Sequence, residues 1–238
     1  MHVALSGFAE ATPRRQRRRD DSCVRAFEAF IDDPAFPCVG AKSARARGRL
    51  RYLRAGDIGQ DRDDGHITRA LQAFAAQAAC DEVFVSMAVL FPDSPALEEE
   101  AFEQALWQRL TALHAIDSQT CAWDPSVSAD PASPHFSMSI GGRAFFVIGL
   151  HPGASRRARR FAWPVLVFNL HSQFEQLRAD GRYEKLRGAI IGRDVALDGD
   201  ANPMLAVHGA ATEARQYSGR QVGAHWSCPF HAVRGPRQ

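Results

Sequence analysis

Long apolar runs are missing from this 238-residue chain, and nowhere do the ~18 apolar residues of a membrane-spanning helix follow one another. The opening "MHVALSGFAEATP" lacks the extended apolar core of a secretory signal. An excess of one charge is missing too: Lys and Arg number 29 against 27 Asp and Glu, a net charge of +2. Neither a nucleic-acid nor a membrane partner is therefore expected. Cysteine is scarce. Cys23, Cys38, Cys80, Cys121 and Cys228 are odd in number and widely scattered, which reads as reduced thiols in a cytoplasmic protein. No C-x-x-C occurs, so neither a zinc ribbon nor a thioredoxin-type site is indicated. G-x-S-x-G, G-x-x-x-x-G-K-[ST] and a G-x-G-x-x-G after a strand are equally missing. That leaves serine hydrolase, nucleotide kinase and nicotinamide dehydrogenase without support.

What is present suits one large domain. Hydrophobic residues make up 45% of the chain, enough for a substantial core. Arg14, Arg15, Arg17, Arg18 and Arg19 crowd the start, and residues 1–19 read as a disordered basic arm. Asp20 and Asp21 can then cap a helix through "SCVRAFEAFIDD", while "FPCVGAKSARARG" breaks the pattern. "RLRYLRAG" alternates as a strand, "HITRALQAFAAQAAC" has helical spacing, and "EVFVSMAVLF" is a strand. Ser94-Pro95 opens a helix whose stripe is Leu97, Phe102, Leu106, Leu110 and Leu113. "FSMSI-GG-RAFFVIGL" reads as a hairpin, "WPVLVFNL" as a strand, and the segment from Ser172 as helix interrupted near Gly181. The tail has little periodicity. With no repeat and no linker, residues 20–238 predict one α/β (α+β) domain, a mixed and partly antiparallel sheet flanked by helices.

Candidate chemistry gathers in the centre and the tail. His151 ends the apolar run "FFVIGL" and precedes Arg156, Arg157, Arg159 and Arg160. Such a cluster can hold carboxylates or phosphates, or can be a solvated basic face. His171 and Glu175 are four apart, the spacing of two metal ligands, of a histidine oriented by a carboxylate, or of a plain helix-surface pair. His225, Cys228 and His231 are spaced by three, like a compact metal array, although Pro229 intervenes and a fourth ligand is missing. Glu213, Arg215, Tyr217 and Arg220 place charge among aromatics, either to tie the tail down or to line a pocket for a charged substrate.

Five tracts in order, "FPCVGAKSA", "FFVIGLHPGASRRARRF", "VFNLHSQFEQLR", "DGRYEKLRGAIIGRD" and "NPMLAVHGAATEARQYSGRQVGAHWSCPF", resemble the YqcI/YcgG family. The likeness runs from about residue 20 to 231; Thr212 stands where serine would fit the pattern. The resemblance implies haem-dependent N-hydroxylation of a guanidine group, on arginine or an arginine-derived compound. It implies haem b, O₂ as co-substrate, and an external electron donor such as a reductase or ferredoxin. A homodimer is compatible with it. With no C-x-x-C-H, the haem would be held without covalent attachment. On this reading His151 is the favoured axial iron ligand, with His171 or Cys228 as alternatives and Cys38 as a weaker one. Arg156, Arg157, Arg159 and Arg160 would hold the propionates. Glu175, His171 and Glu213 would be catalytic. Glu175 and Glu213 would clasp the guanidinium, and Arg215 or Arg220 the substrate carboxylate. Rival readings are a haem-binding or sensing protein without turnover, and a non-haem metal protein using His225, Cys228 and His231.

Overall fold

The computed structural model describes residues 14–79, 83–205 and 211–232. "EVFVSMAVLF" yields the central strand β2, Ser86–Leu90, buried at every position. An uninterrupted apolar strand needs cover on both faces. β2 lies between β1 (Leu50–Arg54) and β5 (Val165–Leu170), and β4 (Arg143–Leu150) and β3 (Met138–Ile140) complete the order β1-β2-β5-β4-β3. β1 and β2 are parallel and the other pairings antiparallel, so the mixed sheet predicted from sequence is the one observed. The parallel pair requires a crossover, which α3 (Asp64–Gln77) provides. β3 and β4 need only Gly141-Gly142, whose φ values of 62° and 69° are the left-handed pair of a type I′ turn.

Strand alternation sorts the side chains into two sets. Met87 and Val89, Phe145 and Val147, and Leu166, Phe168 and Leu170 join α3 and α4 (Glu99–Asp117) in the larger core. Each fully buried Leu or Phe there contributes about 1.5–3 kcal/mol. α4 lies so close to β4 that a Cβ on Gly149 would fall 2.8 Å from Leu106 and Phe102. The opposite set, including Ala88, Leu90, Leu150 and Val165, meets α1 (Arg14–Asp32), α2 (Val39–Ala46) and α5 (His171–Ala179). α6 (Tyr183–Asp198) completes that layer, packing mainly against α2, α5 and the 3-10 turn Arg157–Arg159. α7 (Ala214–Tyr217), a single turn in the tail, packs on β4. No helix among the described residues is long and apolar enough to cross a membrane.

Several sequence expectations are corrected here. α1 begins at Arg14, so residues 14–19 are helical, and Asp20 and Asp21 fall inside the helix instead of capping it. The rest of the expected arm, residues 1–13, lies outside the described residues. α4 begins at Glu99, not at Ser94-Pro95, because Ser94 Oγ accepts the Ile58 N–H at 2.9 Å and cannot serve as cap. "FPCVGAKSARARG" was read as a breaker and contains α2, whose N-cap is Cys38. Gly181, with φ 66°, does separate α5 from α6. Cys23, Cys38, Cys121 and Cys228 are free thiols, and Cys80 lies outside the described residues.

Two glycine replacements should move stability in opposite directions. Gly149→Ala overpacks a core that cannot yield, and should cost about 1–3 kcal/mol. Gly188→Ala, in α6 with nothing within 4 Å of the added Cβ, should stabilise by about 0.4–1 kcal/mol. Urea midpoints of the two variants against wild type check both signs.

Candidate functional site

The second face of the sheet is incompletely filled. A cavity of about 300 Å³ lies between it and the α1, α2, α5 and α6 layer, within the range of small-molecule and cofactor sites. Its floor is Ser86, Phe146, Ile148, Leu150, Val167 and Asn169. The small residues Gly40 and Ala41 of α2 leave room at one side. α6 turns Tyr183, Leu186, Arg187, Ile190, Ile191 and Asp194 toward it, a stripe at i, i+3, i+4 and i+7 spacing. The walls are therefore mostly apolar, with a few placed polar groups.

Of the four clustered arginines, only Arg156 and Arg159 line the cavity. Arg156 is neutralised several times over, by Asp194 (2.6 Å), Asp198 (3.1 Å) and Asp200 (2.5 Å). Arg157 donates to Leu197 O and its backbone N–H to Asp198, while Arg160 donates to Ala154 O and Ser155 O. These two pin the loop to α6 and to itself. Arg159 is different. Its guanidinium donates to three backbone carbonyls, of Gly149 (2.9 Å), Gln216 (3.1 Å) and Tyr217 (3.4 Å), and makes no carboxylate ion pair among the described residues. Burial lowers its pKa to about 10, only partly offset by Cys38 and Asp194. A half-buried cation that meets only carbonyls among the described residues is incompletely matched, so this wall favours an anionic ligand. Arg187, 28 positions further on, also lines the cavity and, among the described residues, donates only to Leu205 O.

Cys38 is the sulfur in the cavity wall. It caps α2, its Sγ accepting the Ala41 N–H at 3.4 Å. Burial pushes its thiol pKa up, while the Ala41 and Gly40 amides and the Arg159 charge pull the other way.

The YqcI/YcgG family model matches residues 27–231. The chain belongs to the YqcI/YcgG family. That span takes in every lining residue, from Phe27 of α1 to Gln216 of α7. No curated protein and no solved structure matches the chain.

The other residues singled out from sequence fall in different places. His151, the favoured axial ligand, does not line the cavity and is 1% exposed. Its ring stacks on Phe102 at 4.2 Å and its Nδ1 lies 3.2 Å from Leu97 O. Alternation explains this: Phe145, Val147 and Gly149 face α4, and His151 follows the same parity. Its backbone N–H donates to Arg159 O, and its carbonyl accepts from Phe161 N–H, so His151 orders the loop that carries the cavity arginine. Cys228 packs against the opposite core, where burial raises its pKa to about 12, and it too is away from the cavity. His225, Cys228 and His231 do not converge; among the described residues no group of three could hold a metal ion.

Glu213 lines the cavity, and His171 stands beside it, Nε2 3.5 Å from Oε1. Glu175 lies 3.9 Å from the same imidazole but points outward, 56% exposed and paired with Arg178. Arg215 donates to Val222 O and Gly223 O, and Arg220 pairs with the buried Glu103. Arg215 therefore braces the tail against itself, Arg220 ties it to α4, and neither lines the cavity. Sequence reasoning missed Arg187, at i+4 from Tyr183 and three before Ile190 on α6, and Arg178, at i+4 from Phe174 on α5, and those helical spacings were the available signal.

Burial holds the His151 pKa below its ordinary 6.5, with the Leu97 contact opposing the shift. The unfolded chain therefore binds this proton more readily than the folded one, and stability should fall as pH drops through about 6.5 and below. His151→Gln should flatten that part of the stability–pH curve, measured by urea denaturation between neutral and mildly acidic pH.

Proposed function

We propose that this YqcI/YcgG protein binds haem b in the cavity and N-hydroxylates the guanidine group of arginine or an arginine-derived compound, using O₂ and electrons from an external donor. The observation that carries the reading is the uncompensated guanidinium of Arg159 beside the Cys38 thiol on the wall of a mostly apolar cavity. Haem is a flat apolar group with acidic propionates at one edge and open axial positions, and these residues suit each part of it. Arg159 and Arg187 supply cations not already matched by carboxylates. Cys38 supplies the iron ligand in place of His151 or Cys228. Bound there, the haem iron would supply the activation of O₂.

The protein's own groups do the rest. Burial keeps the Cys38 thiol protonated, and the α2 amides and Arg159 oppose that effect. Phe27, Ile148, Val167 and Ile190 exclude water, which strengthens every charge interaction inside. Glu213 presents a carboxylate for the planar guanidinium, its Oε2 held by Ser137 Oγ at 2.8 Å. His171 buttresses it from the other side. Asn169 and Ser86, bonded at 2.7 Å, give the floor a polar spot among the apolar strands.

Protein produced with adequate haem supply should be red, with a Soret band, and should add one oxygen atom to arginine or a guanidino analogue, detected by mass spectrometry. Arg159→Leu should weaken haemin binding by about 2 kcal/mol, roughly 30-fold in Kd. Cys38→Ser should abolish the red-shifted ferrous–CO band that a thiolate ligand gives. Folded protein that refuses haemin overturns the reading; a spectrum unchanged in both variants moves the haem to another place.

A further inference from the structure

Behind the cavity wall runs a line of aromatic rings that haem and substrate binding do not use. Phe146 is part of the floor. Tyr217, fully buried, meets it edge-on at 5.5 Å. Trp107, 1% exposed, stacks on Tyr217 at 5.5 Å with ring planes 15° apart. Trp226, half-exposed in the tail, lies 6.4 Å from Trp107. Indole gives up one electron readily, phenol does so when its proton can be shared with an acceptor, and electron exchange between rings in near contact is fast. We infer that Tyr217, Trp107 and Trp226 form an electron route that draws an oxidising equivalent out of the cavity to the surface when no substrate is there to accept it. The inference rests on the haem reading for its oxidant, a one-electron oxidant made from haem and a peroxide.

The proton balance is built in at the outer end. Trp226 Nε1–H faces Glu103 Oε2 at 3.4 Å. One electron leaves Trp226 and passes inward through Trp107 and Tyr217 to reduce the oxidant, the Tyr217 proton staying in its hydrogen bond to Phe145 O as the ring is re-reduced. The indole proton moves to Glu103, leaving a neutral indolyl radical within reach of a small-molecule reductant in solution. The Arg215 guanidinium, 5.9 Å over the Trp226 ring, penalises a lingering indole cation and so favours that proton loss. Trp107 has the opposite setting: its buried Nε1–H has no hydrogen-bond partner among the described residues, so the charge passes through it without a proton leaving. Two side chains compete. Tyr183 lines the cavity, but the Arg178 guanidinium sits 4.6 Å over its ring, closer than the 5.9 Å of Arg215 over Trp226, and makes electron removal harder there than at Trp226, which has Glu103 at its Nε1. Trp163 is separated from the cavity by two phenylalanines, Phe27 and Phe161.

The experiment loads the full chain with haemin, verifies the Soret band, and adds limiting hydrogen peroxide and a spin trap without substrate. Peptide mass spectrometry then maps the adducts. Wild type should carry them mainly on Trp226. Trp226→Phe, at a half-exposed position that leaves the core intact, should shift them back to Trp107 and Tyr217. Trp107→Phe should confine them to Tyr217 and the cavity walls, with haem bleaching several-fold faster. Adducts on Trp163 as frequent as on Trp226, or a pattern unaltered by both variants, would overturn the route while leaving haem binding intact. Absence of the Soret band would overturn the haem reading and the route with it.

Discussion

The cavity depends on one ion cluster. Arg156, 12% exposed, is ringed by Asp194, Asp198 and Asp200, and so fastens the C-terminal half of α6 to the loop after β4. α6 needs such a clamp because little else holds it down. It contains Gly188 and Gly192, each costing roughly 1 kcal/mol of helix propensity, and its apolar stripe faces space instead of the sheet. Buried ion pairs are weak sources of net stability but expensive to break by removing one partner. Here the pairing fixes a distance, that between the helix and the sheet.

The same cluster divides the labour among neighbouring arginines. Three carboxylates concentrate on Arg156, so Arg159, three residues later, keeps its charge for the cavity. The charge there is set by what Arg159 does not meet. His151 acts one step further back, through its backbone bonds to Arg159 and Phe161 and its stack on Phe102. A histidine that resembles a ligand in the sequence is a prop for the loop that bears the cation.

The sheet was legible because β2 and β5 are apolar but for Ser86 and Asn169, and Gly141-Gly142 marks a hairpin that few other residues could turn. Helix starts were less so. Ser94 has the right chemistry for a cap, yet its hydroxyl bonds Ile58, a partner 36 residues away that no local rule reveals. In the site, the arginine cluster was visible, but the role of each member depends on carboxylates from α6 that lie about 40 positions downstream. The His171–Glu175 spacing correctly predicted proximity and said nothing of direction, and Glu175 faces outward. The His151 placement could have been read. Counting by twos from Phe145 puts it on the α4 side.

Cys38 sits where a hydroxyl or carboxylate would hold a helix start better, since Ser, Thr, Asp and Asn are the preferred caps. Sulfur accepts the Ala41 amide only at 3.4 Å, a long and soft bond. The architecture would tolerate oxygen at this point and gain by it. What oxygen would not supply, on the haem binding proposed for this cavity, is a polarisable sulfur donor for the iron.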